Sequence, residues 1–279
     1  MKIEILLVPY DSGRRGERMG AGPEALVGAG LVQQLQRAGH EIRCRILELS
    51  SESLLGEFQA ALEIDRLVSD AVREGRESNW FPLVVAGNCG ATLGVVAALG
   101  PATRVIWADA HGDFNTPDTS ISGFLDGMSL ARLTGRCWGP ATQTIPGFVP
   151  VKEGDVWLIG ARDVDPMEEE ALASSDVCRI SAPDFNPTAF AKVVSSHAAS
   201  DCLHLHLDLD VLDPAVGYAN GFAAAGGLTA AQLTDFCSTL AKTRMPDSLT
   251  ISSYDPKADA AGNISRVAVE TACALFGGH

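Results

Sequence analysis

The sequence is short of basic residues, and this shortage excludes several classes of partner. Its 279 residues include 21 Lys and Arg against 35 Asp and Glu, which gives a formal net charge of −14. Nucleic-acid binding needs clustered Lys and Arg, and an acidic surface is repelled by anionic lipid headgroups. We therefore expect the chain to bind neither nucleic acid nor a membrane surface.

Paired cysteines and long apolar runs are also missing. The seven cysteines are dispersed without a C-x-x-C pair, a pattern typical of reduced cytosolic thiols rather than of a disulfide framework. No uninterrupted apolar segment reaches the length of a membrane span. A charge interrupts the short apolar run over residues 1–5, which predicts a strand and not a signal peptide. The expected location is the cytoplasm.

Short apolar runs alternate with longer helical patterns along the chain. The runs predict strands over residues 3–9, 41–49, 83–86, 105–108, 156–160, 176–180, 202–210 and 248–253. The helical patterns include residues 23–38, 58–74, 90–99, 187–197, 230–240 and 265–276. Alternation of this kind indicates a parallel sheet with helices on both faces.

No repeat, low-complexity segment or flexible linker divides the chain. We therefore predict a single domain over residues 1–279, folded as a three-layer α/β/α sandwich around a central parallel sheet of about eight strands. Thr229 and Gln232 predict a capping box at the start of one helix. The longest segment without a strand or helix pattern, residues 112–123, follows a strand directly, where parallel sheets carry their chemistry.

The run over residues 105–108 leads into alternating acidic and imidazole side chains: Asp109, His111 and Asp113. In extended backbone, residues two apart share one face, so these three side chains are expected to converge on one point. Taken alone, the spacing also fits polar residues that cap a strand end and solvate the edge of a sheet.

A second run alternates even more strictly, with leucines on one face and His204, His206, Asp208 and Asp210 on the other. Ionised carboxylates that are buried together lose hydration and repel one another unless a cation neutralises them. Carboxylates with an imidazole suit Mn²⁺ or a similar metal, and carboxylates bridge the ions of two-metal hydrolases. The two motifs together favour a metal centre. His206 either orients a ligand or belongs to the core, and His204 is interpreted as core.

In these motifs the chain resembles the arginase-like ureohydrolase family of arginases, agmatinases and formimidoylglutamases. The matching segments are residues 16–31, 109–117, 160–166, 208–214 and 226–229, so the resemblance covers nearly the whole chain. It implies an arginase-like fold, a pair of Mn²⁺ ions and a homo-oligomer, either a trimer or a hexamer.

The resemblance also assigns roles to the acidic residues. Asp109 and Asp208 would bridge the two metals, His111 and Asp210 would complete one metal site, and Asp113 would belong to the other. The family's reaction is attack by a metal-bridging hydroxide on the guanidine carbon, because bound metal lowers the pKa of water. Asp210, or a neighbour beside it, would then transfer a proton to the leaving amine.

Four positions depart from the family pattern. One is a threonine whose hydroxyl has no match in residues 221–225, which makes the pocket more apolar there. Cys89 replaces a metal-ligand histidine; its thiolate would favour Zn, Fe or Cu over Mn, or it is a buried apolar residue and that metal site is lost. Asp126 replaces a pocket histidine and either shuttles protons or is a loop acid that faces solvent. Ser253 replaces the glutamate that pairs with the guanidinium in arginases, which suits a less basic group such as an N-hydroxyguanidine.

Four other positions favour an amino-acid substrate. Asn115 and Ser122 match residues that arginases use for the α-carboxylate, and Asp165 and Glu168 match residues near the α-amino group. Such pairings are chemically sensible. Alternatively, Asn115 only shapes its turn and Asp165 only caps a helix.

The leading prediction is a metal-dependent hydrolase that cleaves a C–N bond of a guanidino or N-hydroxyguanidino amino acid, of the arginine or N-hydroxyarginine type, and releases urea or hydroxyurea. The first alternative is another linear amidine, either formimino or agmatine-like, although Asn115 and Ser122 disfavour agmatine because it has no carboxylate. The second alternative is a metal-poor homologue that binds a ligand without catalysis.

Overall fold

A parallel sheet lies at the centre of the chain, whose computed structural model describes residues 1–50, 55–196 and 202–277. The strands in these ranges are β1 (Lys2–Val8), β2 (Tyr10–Asp11), β3 (Arg14–Arg15), β4 (Glu41–Ile46), β5 (Phe81–Ala86), β6 (Thr103–Ala108), β7 (Val156–Ile159), β8 (Cys178–Ile180), β9 (Cys202–Asp208) and β10 (Ser248–Ser252). The sheet order is β4-β1-β5-β10-β9-β6-β7-β8, with every neighbouring pair parallel. The predicted eight-stranded parallel sheet is confirmed for the described residues. A small antiparallel pair, β2 and β3, lies apart from it.

Helices cover both faces of the sheet, which confirms the three-layer architecture. They are α1 (Gly22–Gly28), α2 (Leu31–Arg37), α3 (Glu57–Glu77), α4 (Thr92–Leu99), α5 (Ser129–Leu133), α6 (Gly139–Thr142), α7 (Pro166–Ala173), α8 (Pro187–Ser195), α9 (Ala230–Thr243) and α10 (Asn263–Phe276). Side chains of α1, α2, α8, α9 and α10 fill the core on one face. Side chains of α3, α4, α5 and α7 fill the core on the other face.

The inner strands of the sheet are buried on both faces because apolar side chains point to both, whereas the edge strands β4 and β8 are partly exposed. On β1, Ile3, Ile5 and Leu7 enter the core beneath α1 and α10, while Leu6 and Val8 enter the core beneath α3 and α4. Near-continuous apolar runs are what a sheet covered by helices on both faces requires. The core is therefore divided into two layers by the sheet.

Strand β9 is an exception, as its sequence pattern predicts. Its leucines pack in the layer with α8, α9 and α10, so the alternate residues His204, His206 and Asp208 face the layer that contains α4. All three are buried. Buried polar side chains on one strand need partners, and these partners define the site described below.

One predicted helix is wrong in its extent. The pattern over residues 23–38 predicts a single helix, but the structure has α1 and α2 separated at Gly30, whose φ of 102° is left-handed. Glycine adopts this conformation without steric cost, so the chain turns there and starts a second helix. The helix predicted over residues 187–197 ends at Ser195, and its last predicted residue lies outside the described residues. The capping box at Thr229 is confirmed.

Four neighbouring strands end at the same edge of the sheet. Strands β5, β10, β9 and β6 are adjacent and parallel, so the loops that follow them leave from one side. These loops, together with Asp208 at the end of β9, carry all of the residues predicted to bind metal. The fold thus brings together segments that are far apart in the sequence.

Candidate metal centre and active site

The loops at this edge surround a cavity of about 360 Å³. Its lining includes Cys89, His111, Asp113, Asn115, Ser122, Asp126, Asp165, Glu168, Asp208, Asp210 and Ser253. Of the residues predicted to form the site, Asp109 alone is not part of this lining, and it lies fully buried. The structure therefore brings together residues that the sequence separates by up to 164 positions.

Asp109 is held from two directions beneath the cavity. The indole N–H of Trp107 donates to Oδ2 at 2.9 Å, and the backbone N–H of His111 donates to Oδ1 at 2.7 Å. Burial raises the pKa of Asp109, but hydrogen bonds and the charge of His111 outweigh this, and the pKa lies below its usual value. Asp109 is thus a fixed carboxylate that favours its ionised form.

The two acidic motifs converge for a reason that differs from the one predicted. The strands end at Ala108 and Asp208, so Asp113 and Asp210 are not part of extended backbone. Instead, the carboxylate of Asp208 accepts the N–H of Asp210 at 2.9 Å, as Asp109 accepts that of His111. Each aspartate side chain therefore closes a local turn that replaces the strand.

Asp208 and Asp210 lie close together at the end of β9. Oδ1 of Asp210 accepts the N–H of Ala110 at 3.2 Å, and Oδ2 accepts the side-chain amide of Asn220 at 3.0 Å. Burial, together with the charges of Asp210 and Asp109, raises the pKa of Asp208 well above its usual value. Carboxylates packed in this way favour the presence of a cation.

Asp113 adds a buried oxygen that lacks a partner. Its Oδ2 has no hydrogen-bond partner among the described residues, and its backbone φ is 49°. The conformation is held because the carbonyl of Asp113 accepts the N–H groups of Leu130 and Ala131 at 2.8 and 3.0 Å. Burial, together with the charge of Asp109, raises the pKa of Asp113 well above its usual value. An orphaned, buried carboxylate oxygen fits a metal ligand.

His111 lies between two of these carboxylates. Its Nδ1 is 3.3 Å from Oδ1 of Asp109 and 3.4 Å from Oδ2 of Asp210. Burial alone would lower its pKa, but the hydrogen bond to Asp109 and the nearby charges raise the pKa to about 10. Ligand atoms of Asp109, His111 and Asp210 all lie within 4.8 Å of one another, close enough to hold one cation.

Cys89 lies within the same cluster, where its sulfur contacts polar groups at the border of the apolar core. Its Sγ–H donates to Oδ2 of Asp208 at 2.9 Å, and its Sγ is 3.3 Å from Oγ of Ser252 and 3.2 Å from Oγ of Ser253. Burial, followed by the charge of Asp208, raises the pKa of the thiol well above its usual value. A divalent ion bound here would displace the thiol proton and reverse this effect.

Asp126 is buried and anchors the turn that carries Cys89. Its Oδ2 accepts from the side chain of Asn88 at 2.8 Å and from the N–H of Cys89 at 3.1 Å. Its Oδ1 accepts from the N–H of Gly90 at 3.0 Å and from the hydroxyl of Ser129 at 2.9 Å. Burial raises its pKa to about 6 despite these donors. The alternative of a loop acid that faces solvent is wrong, and the proton-shuttle role stays a prediction.

The residues predicted to bind the amino-acid part of a substrate are linked on one wall of the cavity. The side-chain amide of Asn115 donates to Asp165 at 3.1 Å. Glu168 accepts the N–H groups of Phe114 and Asn115 at 2.6 and 3.1 Å. Asp165 and Glu168 also form a capping box at the start of α7. These contacts agree with the alternative roles expected from the sequence, in which Asn115 shapes its turn and Asp165 caps a helix.

Ser122 lies at the mouth of the cavity, where aromatic residues gather. Its hydroxyl accepts the N–H of Phe124 at 3.2 Å. The rings of Phe124 and Phe222 stack with centroids 5.7 Å apart, and the guanidinium of Arg18 lies 5.6 Å from the Phe124 centroid. The entrance thus combines apolar surface with a positive charge.

Two contributors to the site were not predicted from the sequence. Asn220 donates both to Oδ2 of Asp210 and to the carbonyl of Ser253, at 3.0 and 2.8 Å. Ser252 lies beside Cys89. Neither residue lies in a motif whose spacing indicates this role, so only the fold reveals them.

The donor set fits divalent metal ions. Buried carboxylates, an imidazole and a thiol converge, two of the carboxylates have strongly raised pKa values, and one carboxylate oxygen lacks a partner. A second group of ligand atoms within 4.8 Å of one another consists of Cys89, Asp109 and His206. A metal pair would offset the mutual repulsion of the carboxylates.

Comparison with known proteins agrees with this geometry. A family model described as the arginase family matches residues 1–277. An arginase of Brevibacillus brevis is 33% identical over 298 residues, covering 99% of this chain and 97% of the relative. An arginase of Bacillus caldovelox is 30% identical over 294 residues, covering 99% of this chain and 98% of the relative. A crystal structure of arginase from Bacillus subtilis strain 168 matches with a TM-score of 0.89 at 26% identity, covering 99% of each chain.

One further property concerns membranes. Within residues 1–50, 55–196 and 202–277, no helix is both long enough and apolar enough to cross a bilayer. The finding agrees with the absence of long apolar runs in the sequence.

Proposed function

Because the chain belongs to the arginase family, we propose that this hydrolase cleaves a C–N bond of a guanidino or N-hydroxyguanidino amino acid, of the arginine or N-hydroxyarginine type. The products are urea or hydroxyurea. One observation carries the proposal: a single cavity is lined both by the candidate metal ligands and by Ser253. Ser253 stands at the position where the family has the residue that pairs with the guanidinium.

We further propose the following metal ligands. Asp109 and Asp208 would be shared between the two metal ions, Asp210 and His111 would complete one site, and Asp113 would belong to the other. Cys89 is the remaining ligand, and its thiol makes a divalent ion other than Mn²⁺ an equal candidate. When bound, the metal pair supplies a water molecule of lowered pKa.

The protein groups around the cluster supply orientation and proton transfer. Asn220 and the N–H of Ala110 fix the carboxylate of Asp210, which places it to carry a proton to the leaving amine. Asp126, with a pKa near 6, is the second candidate for proton transfer. It also keeps Cys89 in place through backbone hydrogen bonds.

Ser253 supports an N-hydroxyguanidino substrate over arginine. A guanidinium with the pKa of arginine is always protonated, and its burial beside a hydroxyl gives it no counter-charge there. An N-hydroxyguanidine is less basic, so its neutral form enters more readily, and its hydroxyl offers a hydrogen-bond partner to Oγ of Ser253.

The rest of the substrate is assigned to the outer wall of the cavity. We propose that Asn115 and Ser122 bind the α-carboxylate and that Asp165 and Glu168 bind the α-ammonium group. Assembly as a homo-oligomer and a cytoplasmic location complete the proposal. The cytoplasmic location rests on seven free cysteines, two of them exposed.

Steady-state kinetics on metal-reconstituted protein test the substrate assignment. Arginine, N-hydroxyarginine, agmatine and a formimino amino acid are compared at matched Mn²⁺ and Zn²⁺ loading, with Asp208→Asn as the inactive control. We expect the highest kcat/KM with N-hydroxyarginine. A preference for agmatine or for the formimino compound would show that the proposed substrate is wrong. No turnover with any metal would favour a homologue that binds a ligand without catalysis.

A further inference from the structure

His206 lies in a buried position immediately behind the proposed metal cluster. It precedes Asp208 by two residues on β9 and is fully buried. Its ring stacks on Trp107 with centroids 3.8 Å apart and planes at 19°. Trp107 in turn donates to Asp109. The imidazole is therefore fixed in orientation against the same residue that fixes a proposed bridging carboxylate.

The two ring nitrogens of His206 have different surroundings. Nδ1 is 2.8 Å from the hydroxyl of Thr92 on α4, while Nε2 is 3.3 Å from Oγ of Ser252. The same Ser252 oxygen is 3.3 Å from Sγ of Cys89. Nε2 and the thiol thus contact the same Ser252 hydroxyl, while Nδ1 is held by Thr92. Metal-binding histidines are oriented in this way by a partner on the second nitrogen.

The distances between the candidate ligand atoms suit a single ion. Ligand atoms of Cys89, Asp109 and His206 lie within 4.8 Å of one another. Around a tetrahedral zinc ion with bonds of 2.0 to 2.3 Å, ligand atoms are about 3.3 to 3.8 Å apart. Small side-chain shifts are therefore sufficient to close this group around one cation.

We propose that Cys89, Asp109 and His206 form a thiolate–carboxylate–imidazole metal site that selects Zn²⁺ over Mn²⁺. The inference rests on the proposed function, because Asp109 and Cys89 are shared with the hydrolytic metal pair and His206 is the added ligand. Thiolate and imidazole are soft and intermediate ligands, which favour Zn²⁺. In this arrangement, an imidazole contributed by β9 accompanies the thiolate contributed by the loop after β5.

His204 provides a comparison on the same strand and the same face. It is equally buried, and its Nδ1 lies 2.7 Å from the hydroxyl of Ser248. It belongs to neither group of possible metal ligands among the described residues. Burial of a histidine in this layer therefore does not by itself create the arrangement seen at His206.

Metal-free protein titrated with Zn²⁺ and Co²⁺ tests the site without any enzymatic readout. We expect a thiolate-to-cobalt charge-transfer band in the near ultraviolet, lost in Cys89→Ser. His206→Gln should keep this band but weaken Zn²⁺ and Co²⁺ binding at least about tenfold. His204→Gln, the matched control, should bind as wild type does. Unchanged affinity and an unchanged spectrum in His206→Gln would overturn the proposal.

X-ray absorption of the Zn²⁺-loaded wild-type protein gives an answer even if a variant fails to fold. We expect a sulfur ligand at about 2.3 Å together with imidazole scattering that persists in His111→Gln, since His111 is the other imidazole among the proposed ligands. A first shell of oxygen and nitrogen alone would also overturn the inference. Hydrolysis of guanidino substrates is assayed separately. Turnover without this zinc site would contradict only the inference. The zinc site without turnover would contradict only the proposed function.

Discussion

The Sγ–H of Cys89 donates to Oδ2 of Asp208 across 2.9 Å, which joins two segments 119 residues apart. The contact places a thiol where the proposed cluster needs a ligand. It also gives the buried proton of the thiol an acceptor, since burial and the Asp208 charge together raise the pKa of Cys89. Cys89 must lose this proton before its sulfur can bind a metal ion.

Replacing Cys89 by Ser should lower metal content. A hydroxyl is a poorer ligand than a thiolate, so we expect about two metal ions per reconstituted wild-type chain and about one in the variant. Elemental analysis of the purified proteins measures this. Cys237→Ser, which alters an equally buried cysteine on α9, should retain the wild-type content. Equal metal content in all three proteins would remove Cys89 from the ligand set.

Replacing Ser253 by Ala should reduce discrimination between substrates. Loss of one hydrogen bond of about 1 kcal/mol should lower kcat/KM for N-hydroxyarginine about fivefold. Turnover of arginine, which lacks the N-hydroxyl group, should change less and serves as the internal control. A parallel loss with both substrates would show that Ser253 supports the site and does not select the substrate.

Replacing Asn220 by Ala should impair catalysis or metal affinity by about 10- to 100-fold. The side-chain amide of Asn220 holds both Asp210 and the carbonyl of Ser253, and partners that orient metal ligands have effects of this size. Kinetics and metal titration measure the two components. Asn186→Ala removes a helix cap far from the cavity and should affect stability alone.

Replacing Glu168 by Gln should loosen the wall formed by residues 114 and 115. One carboxylate oxygen accepts two backbone N–H groups, and the other accepts the N–H of Asp165. An amide retains only one acceptor oxygen, so we expect a loss of about 1–3 kcal/mol in the free energy of unfolding and a higher KM. Denaturant unfolding measures the first effect. Glu169→Gln, at the neighbouring exposed position, should change stability by less than about 1 kcal/mol.

His204 should lower the stability of the metal-free protein as the pH drops below about 6.5, opposing the gain from buried carboxylates such as Asp126 and Asp208, whose pKa values are raised. Burial lowers the pKa of His204 well below its usual value, whereas in the unfolded chain the pKa is about 6.5. The unfolded state therefore binds more protons over this window, and stability present above pH 6.5 is lost on acidification.

Each such histidine adds a slope of up to about 1.4 kcal/mol per pH unit. Denaturant unfolding at several pH values should show that the wild type loses stability relative to His204→Gln as the pH drops below about 6.5. An identical slope would mean that His204 takes up its proton in the folded state.

The strand pattern and the ligand types could be read from the sequence because they are local. Alternation with a period of two predicts which residues of β9 face the leucine layer and which face the polar side. The acidic spacing at Asp109 and Asp113 likewise indicates a metal centre. Even here, the acidic side chains do not converge through extended backbone, as the spacing predicted. Instead, the side chains of Asp109 and Asp208 close local turns after the strands.

Tertiary structure decided everything that depends on contacts between distant segments. The sheet order puts β5, β10, β9 and β6 side by side, and no local pattern encodes that order. It brings Cys89 to Asp208 and Ser253, turns Asp126 into the anchor of the Cys89 turn, and sets His206 behind the cluster. The sequence alone thus determined which chemical groups are available, and the packing of the sheet determined which of them meet, since burial and distance govern both pKa and metal binding.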